Sequence, residues 1–389
     1  MKALGLLIKP ASGNCNMRCR YCFYADVTAA RNVGNRGVMS LDTLETIVRG
    51  ALAEAAHFCS FGFQGGEPTL AGLDFFRALI AFEKRHNANG VRIAHAIQTN
   101  GTLIDAEWAA FLGEHDFLTG VSIDAGREIH DDLRPGVDGR GTHKRAMKAA
   151  ELLRLAGVQF NILSVVTGRM AAQPERVYRF YKEHDFRYIQ FIPCLDDLKP
   201  DARPAPYSLD ARSYGRFLCR IFDLWYEDYR RGAYYSIRAF DNYIHILAGQ
   251  PPENCAMSGA CSPYPLIEAD GSVYPCDFYA IDRLYLGNVG ERTFAEMLSG
   301  PAAERFAATS RQIDERCRVC AYFALCRGGC RRDREPETDG RLCLNKLCEA
   351  YLAFFKHALP RMSEISKTIV RQRPLYRRRE ERTDVPARD

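Results

Sequence analysis

The chain of 389 residues has no long apolar run: its longest stretches free of Asp, Glu, Lys and Arg, Leu155–Gly168 and Asn254–Ile267, are 14 residues each. A bilayer-spanning helix needs about 20 apolar residues, so no membrane span is expected. Strong charge of one sign is also missing, because 53 Lys and Arg stand against 48 Asp and Glu, a net +5. Such a balance gives no broad field for nucleic acid or an anionic membrane. The first ten residues hold two lysines and an apolar run too short for a secretory signal, which places the expected working compartment in the cytoplasm. Internal repeats and low-complexity tracts are absent, and 47% hydrophobic with 26% charged residues excludes disorder as the main theme.

Cysteine, by contrast, is abundant. Fifteen thiols in a reducing compartment are better explained by metal than by disulfides.

Up to about Pro193, short β-branched or aromatic runs alternate with amphipathic segments, the pattern of a parallel sheet covered by helices. The expected strands are Leu6–Lys9, Phe58–Phe63, Arg92–Gln98, Phe117–Ile123, Phe160–Val166 and Tyr188–Ile192. Ser40 is placed to cap a helix whose Leu44, Ile47, Val48, Ala51 and Leu52 repeat at helical spacing, and Tyr214 to Trp225 form a last covering helix. The fold class is therefore α/β, a partial (β/α)6 TIM-type barrel over residues 1–233. In barrels of this kind the chemistry sits where strands end at the C-terminal rim. Residues 234–365 turn Gly- and Cys-rich and read as a second domain held largely by metal. Residues 366–389, with seven Arg and four acids after residue 370, read as a charged, disordered tail.

Three features carry chemistry. Cys15, Cys19 and Cys22 follow the first strand as CxxxCxxC. Three soft ligands on one loop suit a four-iron cluster with one open iron, whereas closed zinc sites use four. Gly65-Gly66-Glu67-Pro68 follows the second strand, and glycine there permits close backbone approach. The Gly136–Gly141 segment has the glycine spacing of a phosphate loop, but Thr142 stands where the lysine belongs, so that role is excluded. The second domain holds Cys255, Cys261, Cys276, Cys317, Cys320, Cys326, Cys330, Cys343 and Cys348. Eight of these suffice for two fully ligated clusters. A zinc ribbon on Cys317, Cys320, Cys326 and Cys330 is the competing assignment from spacing alone.

The CxxxCxxC loop, with Tyr21 before its last Cys, and the GGE segment resemble the signatures of radical S-adenosylmethionine (SAM) enzymes. Gly271-x4-Cys276 with the Cys317-to-Cys348 run resembles the SPASM extension of that superfamily. Leu7–Ser12, Cys22–Tyr24, Phe63–Gly72, Gln98–Leu103 and Asp270–Tyr279 narrow the resemblance to anaerobic sulfatase-maturating enzymes. The resemblance implies oxidation of a Cys or Ser in a sulfatase CxPxR-type motif to Cα-formylglycine. It implies three [4Fe-4S] clusters and SAM, with SAM lined by Tyr21, Gly65, Gly66, Glu67, Ser122, Arg134 and Leu195. It groups Cys255, Cys261, Cys276 and Cys330 on one auxiliary cluster and Cys317, Cys320, Cys326 and Cys348 on the other, with Cys343 spare. Asp277 is implied as the base, an auxiliary cluster as the acceptor of the second electron, and a flavodoxin or ferredoxin as the reducing donor to a monomeric enzyme with a sulfatase polypeptide as partner. A peptide-crosslinking maturase using the same clusters, or a non-enzymatic electron-transfer or zinc-binding protein, is the alternative.

Overall fold

A computed structural model describes residues 1–198, 205–338 and 340–383. Its frame is six strands, β1 (Ala3–Ile8), β2 (Phe58–Phe63), β3 (Arg92–Thr99), β4 (Leu118–Ser122), β5 (Phe160–Val166) and β6 (Tyr188–Pro193). They lie side by side in chain order and pair in parallel, with Ile8 opposite Phe63 and Phe63 opposite Ile97. Parallel pairing needs a crossover between strands, and the helices between them supply it. One is Leu41–Glu54, where the Ser40 hydroxyl accepts from the Thr43 N–H at 3.1 Å and Leu44, Ile47, Val48, Ala51 and Leu52 are all buried. Another, Ala211–Arg230, buries Tyr214, Phe217, Leu218, Ile221, Phe222 and Trp225. Both amphipathic stripes and five strand positions match expectation to within a residue, while β1 runs Ala3–Ile8 where Leu6–Lys9 was expected.

The sheet does not stop at the expected domain boundary. Beyond β6 it gains β7 (Ser236–Ile237), and beside β1 it gains β8 (Leu266–Ile267), β9 (Ser272–Tyr274) and β10 (Gly287–Asn288). β8 pairs parallel with β1 through Leu7 opposite Leu266, and β9 and β10 follow antiparallel. The edge of β1 that six strands would leave bare is thus covered by the cysteine-rich region. Barrel and cysteine-rich region share one sheet.

The final helix, Cys348–Thr383, returns across the barrel and packs on Ala211–Arg230. Gly215 makes the crossing close: a Cβ there would stand 3.1 Å from the Ala350 Cα. Phe354 meets Phe222 and Phe240 at centroid separations of 5.8 and 5.5 Å. The tail expected from residue 366 is corrected here, because the helix continues through Thr383 and Ser366 is buried. Met362, Ile365 and Ile369 extend one apolar stripe at i, i+3 and i+7, which the nearby charge had masked. Residues 384–389 of that tail lie outside the described residues.

Candidate active site

β1 ends at Ile8, and the loop after it carries Cys15, Cys19 and Cys22 to the C-terminal rim. Neighbouring loops hold it through backbone hydrogen bonds. Gly66 N–H donates to Ser12 O at 2.9 Å, Glu67 N–H to Asn14 O at 2.8 Å, Arg18 N–H to Pro135 O at 2.8 Å and Arg20 N–H to Leu133 O at 2.9 Å. Gly65 has a φ of +136°, and a Cβ on it would press on the Lys9 stem. Met17 bridges to Gly136, so the glycine-rich segment after β4 serves as a seat for this loop. The Asn100 amide approaches the Cys15 Sγ at 3.8 Å.

The three thiols face one another closely enough that a thiolate on one disfavours the next. Burial pushes the Cys15 thiol up to about 12. Burial also pushes Cys19 up, against the opposing pull of the Arg134 guanidinium. Crowded, buried thiols of this kind become stable thiolates only when a cationic centre takes them, so the donor set fits an iron–sulfur cluster.

Beside this loop, Arg134 donates to the Tyr21 hydroxyl at 2.9 Å, and Tyr21 donates to the buried carboxylate of Asp124. Asp124 is fixed in turn by the Val165 N–H at 3.0 Å. Behind them sits His130. Thr142 Oγ1 donates to Arg134 O at 2.7 Å, so it accepts from His130 Nε2 at 3.0 Å, while His130 Nδ1 accepts from the Asp124 N–H at 3.3 Å. The ring is therefore neutral with its proton on Nε2. Ser122, at the end of β4, accepts from Gln98 at 2.9 Å, and Leu195 stands half-buried just beyond β6. The Glu67 side chain ties neighbouring loops together. Its buried carboxylate accepts from Thr69 N at 3.2 Å, Thr69 Oγ1 at 2.6 Å, Thr99 Oγ1 at 2.7 Å and Asn100 N at 2.7 Å, tying the loop after β2 to the end of β3.

Asp277 lies across the seam between the barrel rim and the cysteine-rich region. It is buried, with Oδ1 2.5 Å from Lys9 Nζ in an ion contact and Oδ2 accepting from Gln64 Nε2 at 2.6 Å. Its N–H donates to the Tyr264 hydroxyl at 3.1 Å. Lys9, Gln64, Asp124, His130 and Tyr264 received no role from sequence. One signal was present for Lys9: a lysine closing an otherwise apolar strand must be paired if buried.

The other cysteines fall into two groups. Cys255 faces Cys261, Cys276 faces both, and Cys330 faces Cys276 and Cys261. Cys326 faces Cys317, Cys320 and Cys348, and these four line one cavity of about 300 Å³. Cys330 follows Cys326 by four residues but stands with the first group. Cys330 thus stands apart from the Cys317, Cys320 and Cys326 that a single ribbon would need beside it. Cys343 directs its thiol to the Pro336 carbonyl at 3.2 Å, and Cys59 and Cys194 are buried. Each four-thiol group fits one fully ligated cluster.

The radical SAM superfamily model matches residues 10–181, and the SPASM model, an iron–sulfur cluster-binding domain, matches residues 261–321. The chain is 43% identical to a cysteine-type anaerobic sulfatase-maturating enzyme of Clostridium novyi, over 95% of this chain and 99% of that protein. A cysteine-type enzyme of Clostridium perfringens is 44% identical over 95% of this chain and all of its own length, and a serine-type enzyme of Bacteroides thetaiotaomicron is 31% identical over 95% and 93%. The structure of native anSMEcpe with bound AdoMet and Cp18Cys peptide superposes with a TM-score of 0.90 at 44% identity, covering 94% of this chain and 99% of that one. SuiB of Streptococcus suis, 19% identical with a TM-score of 0.60, shares the fold. Full-length identity, both domain matches and the converging rim loops agree, and the chain belongs to the anaerobic sulfatase-maturating enzymes of the radical SAM superfamily.

Proposed function

We propose that this chain oxidises the cysteine of a Cys-x-Pro-x-Arg-type sulfatase motif to Cα-formylglycine. The higher identity to cysteine-type than to serine-type relatives supports cysteine as the substrate residue. The observation that carries the reading is the placement of Asp277, a buried carboxylate directly after Cys276 and held by two barrel residues. When bound, SAM and the clusters would supply radical chemistry at the substrate Cβ and an acceptor for the second electron.

The chain's own residues divide the remaining work. Cys15, Cys19 and Cys22 hold the open cluster. Tyr21, Gly65, Gly66, Ser122, Arg134 and Leu195 shape the SAM site, with Glu67 bracing it from behind. Cys255, Cys261, Cys276 and Cys330 hold one auxiliary cluster, and Cys317, Cys320, Cys326 and Cys348 hold the other. Asp277 accepts the thiol proton. The proton moves as, or after, Cβ loses its hydrogen, because that loss acidifies the thiol. The partner is a sulfatase polypeptide, and a flavodoxin- or ferredoxin-type protein supplies the reducing electron to a cytoplasmic monomer. No helix among the described residues is long and apolar enough to cross a membrane.

The decisive assay is anaerobic incubation of reconstituted enzyme with SAM, a reductant and a Cys-x-Pro-x-Arg peptide, followed by mass spectrometry. An aldehyde in place of the thiol is expected. A crosslinked peptide, or deoxyadenosine with unaltered peptide, overturns the reading.

A further inference from the structure

Lys9 is fully buried, and its backbone is fixed by an N–H bond to Ile267 O at 2.8 Å on the neighbouring β8. Its ammonium stands 2.5 Å from Asp277 Oδ1 and 3.7 Å from the centroid of the Tyr24 ring. The nearby acid, Glu268, is already committed. It accepts from the Tyr24 hydroxyl, from Ser12 Oγ at 2.9 Å and from Arg31 Nη1 at 2.8 Å. Two buried cations and two buried carboxylates therefore sort into two pairs, Arg31 with Glu268 and Lys9 with Asp277. A buried charge left without its partner is strongly disfavoured, so neither pair can open cheaply.

Asp277 has its backbone in the cysteine-rich region, but its carboxylate is held from the barrel by Lys9 at the end of β1 and Gln64 at the end of β2. Gly65 leaves room for the Lys9 stem: a Cβ at that position would stand 3.2 Å from the Lys9 Cβ and Cγ. The first glycine of the GGE segment thus serves this lysine as well as the loop it belongs to. We propose that Lys9 is a positioning residue for formylglycine formation, its ammonium locking the Asp277 carboxylate to the barrel rim so that it faces the substrate thiol when the Cβ hydrogen leaves. The inference rests on the assignment of Asp277 given above.

The test uses reconstituted holoenzyme and a Cys-x-Pro-x-Arg peptide, with deoxyadenosine and formylglycine counted together and thermal midpoints recorded. Variants are Lys9→Met, Lys9→Arg, Asp277→Asn and the double Lys9→Met/Asp277→Asn. Misplacing a reacting group by about 1 Å costs up to about 100-fold. Lys9→Met should still cleave SAM, while formylglycine per deoxyadenosine falls about 10- to 100-fold. Lys9→Arg should recover part of that ratio. The double variant should be no worse than Asp277→Asn and should melt above both single variants, because no charge is orphaned in it. A parental ratio in Lys9→Met, or losses that multiply in the double variant, overturns the proposal. Should Lys9→Met fail to load its clusters, the midpoints decide: restoration in the double variant supports the pairing, and equal instability overturns it. Parental product formation by Asp277→Asn would instead sink the assignment of Asp277 itself.

Discussion

A methyl group on Gly66 would lie 1.9 Å from the carbonyl oxygen of Asn14. The loop after β2 and the loop bearing Cys15, Cys19 and Cys22 therefore touch backbone to backbone, and only glycine permits the contact. Gly66→Ala must push the two loops apart, at about 1–3 kcal/mol if overpacking here resembles that of a packed core. SAM affinity should fall at least about tenfold, the equivalent of about 1.4 kcal/mol, while cluster absorption from the cysteine-rich region survives. Equilibrium SAM binding checks this, and an unchanged dissociation constant would show that the contact does not shape the site.

The grouping of thiols predicts which variants behave alike. Cys330→Ala should resemble Cys276→Ala and leave intact the cluster of Cys317, Cys320, Cys326 and Cys348, whereas Cys326→Ala should do the reverse. Each should lose about four of about 12 irons. Iron and sulfide analysis with spectra of the surviving clusters distinguishes the two patterns. Protein that plateaus near four irons and takes up zinc would contradict two auxiliary clusters.

Glu67 accepts four hydrogen bonds with no water access, so Glu67→Gln replaces one acceptor oxygen by a donor that faces other donors. A buried polar group left unsatisfied costs about 1–3 kcal/mol. The expected outcome is a lower thermal midpoint and weaker SAM binding together, since the carboxylate links the loop after β2 to the end of β3. A midpoint equal to that of the parent protein would mean the neighbouring donors find other partners.

His130 gives the SAM side a pH dependence. Burial, with the nearby Arg134 charge, holds the ring well below the ordinary histidine range. In the unfolded chain it protonates near 6.5, while in the folded chain it stays neutral to lower pH. Folding therefore keeps the full contribution of the neutral ring above about 6.5 and loses it progressively as the pH falls below that value. As the pH falls below about 6.5 the thermal midpoint should decline, and His130→Gln, which cannot titrate, should flatten the decline. Parallel pH profiles for parent and variant would remove His130 as its cause.

Much of the architecture was legible because it is local. Alternating strand and helix periodicities located β1 to β6 but not the short parallel strands β7 and β8, and Ser40 marked a real helix start. Cysteine spacing likewise marked the loop after β1 and the second domain as metal-binding without any knowledge of folding. Spacing failed where the contact is long-range: Cys330 lies next to Cys326 in sequence yet joins Cys276, because the chain reverses between them with Arg327, Gly328 and Gly329 all at positive φ. Charge-rich composition misled at residue 366, where Ile365 and Ile369 keep the helix on the core.

Sequence alone determined the chemistry of this protein, since ligand type, ligand number and the Gly-Gly-Glu turn are properties of short segments. Only the tertiary structure decided which thiols stand together, that β8 continues the barrel sheet, and that Asp277 is held by Lys9, 268 positions earlier in the chain. Those outcomes depend on where β1, β8 and β9 meet, and the burial that makes an unpaired charge costly exists only once they have met.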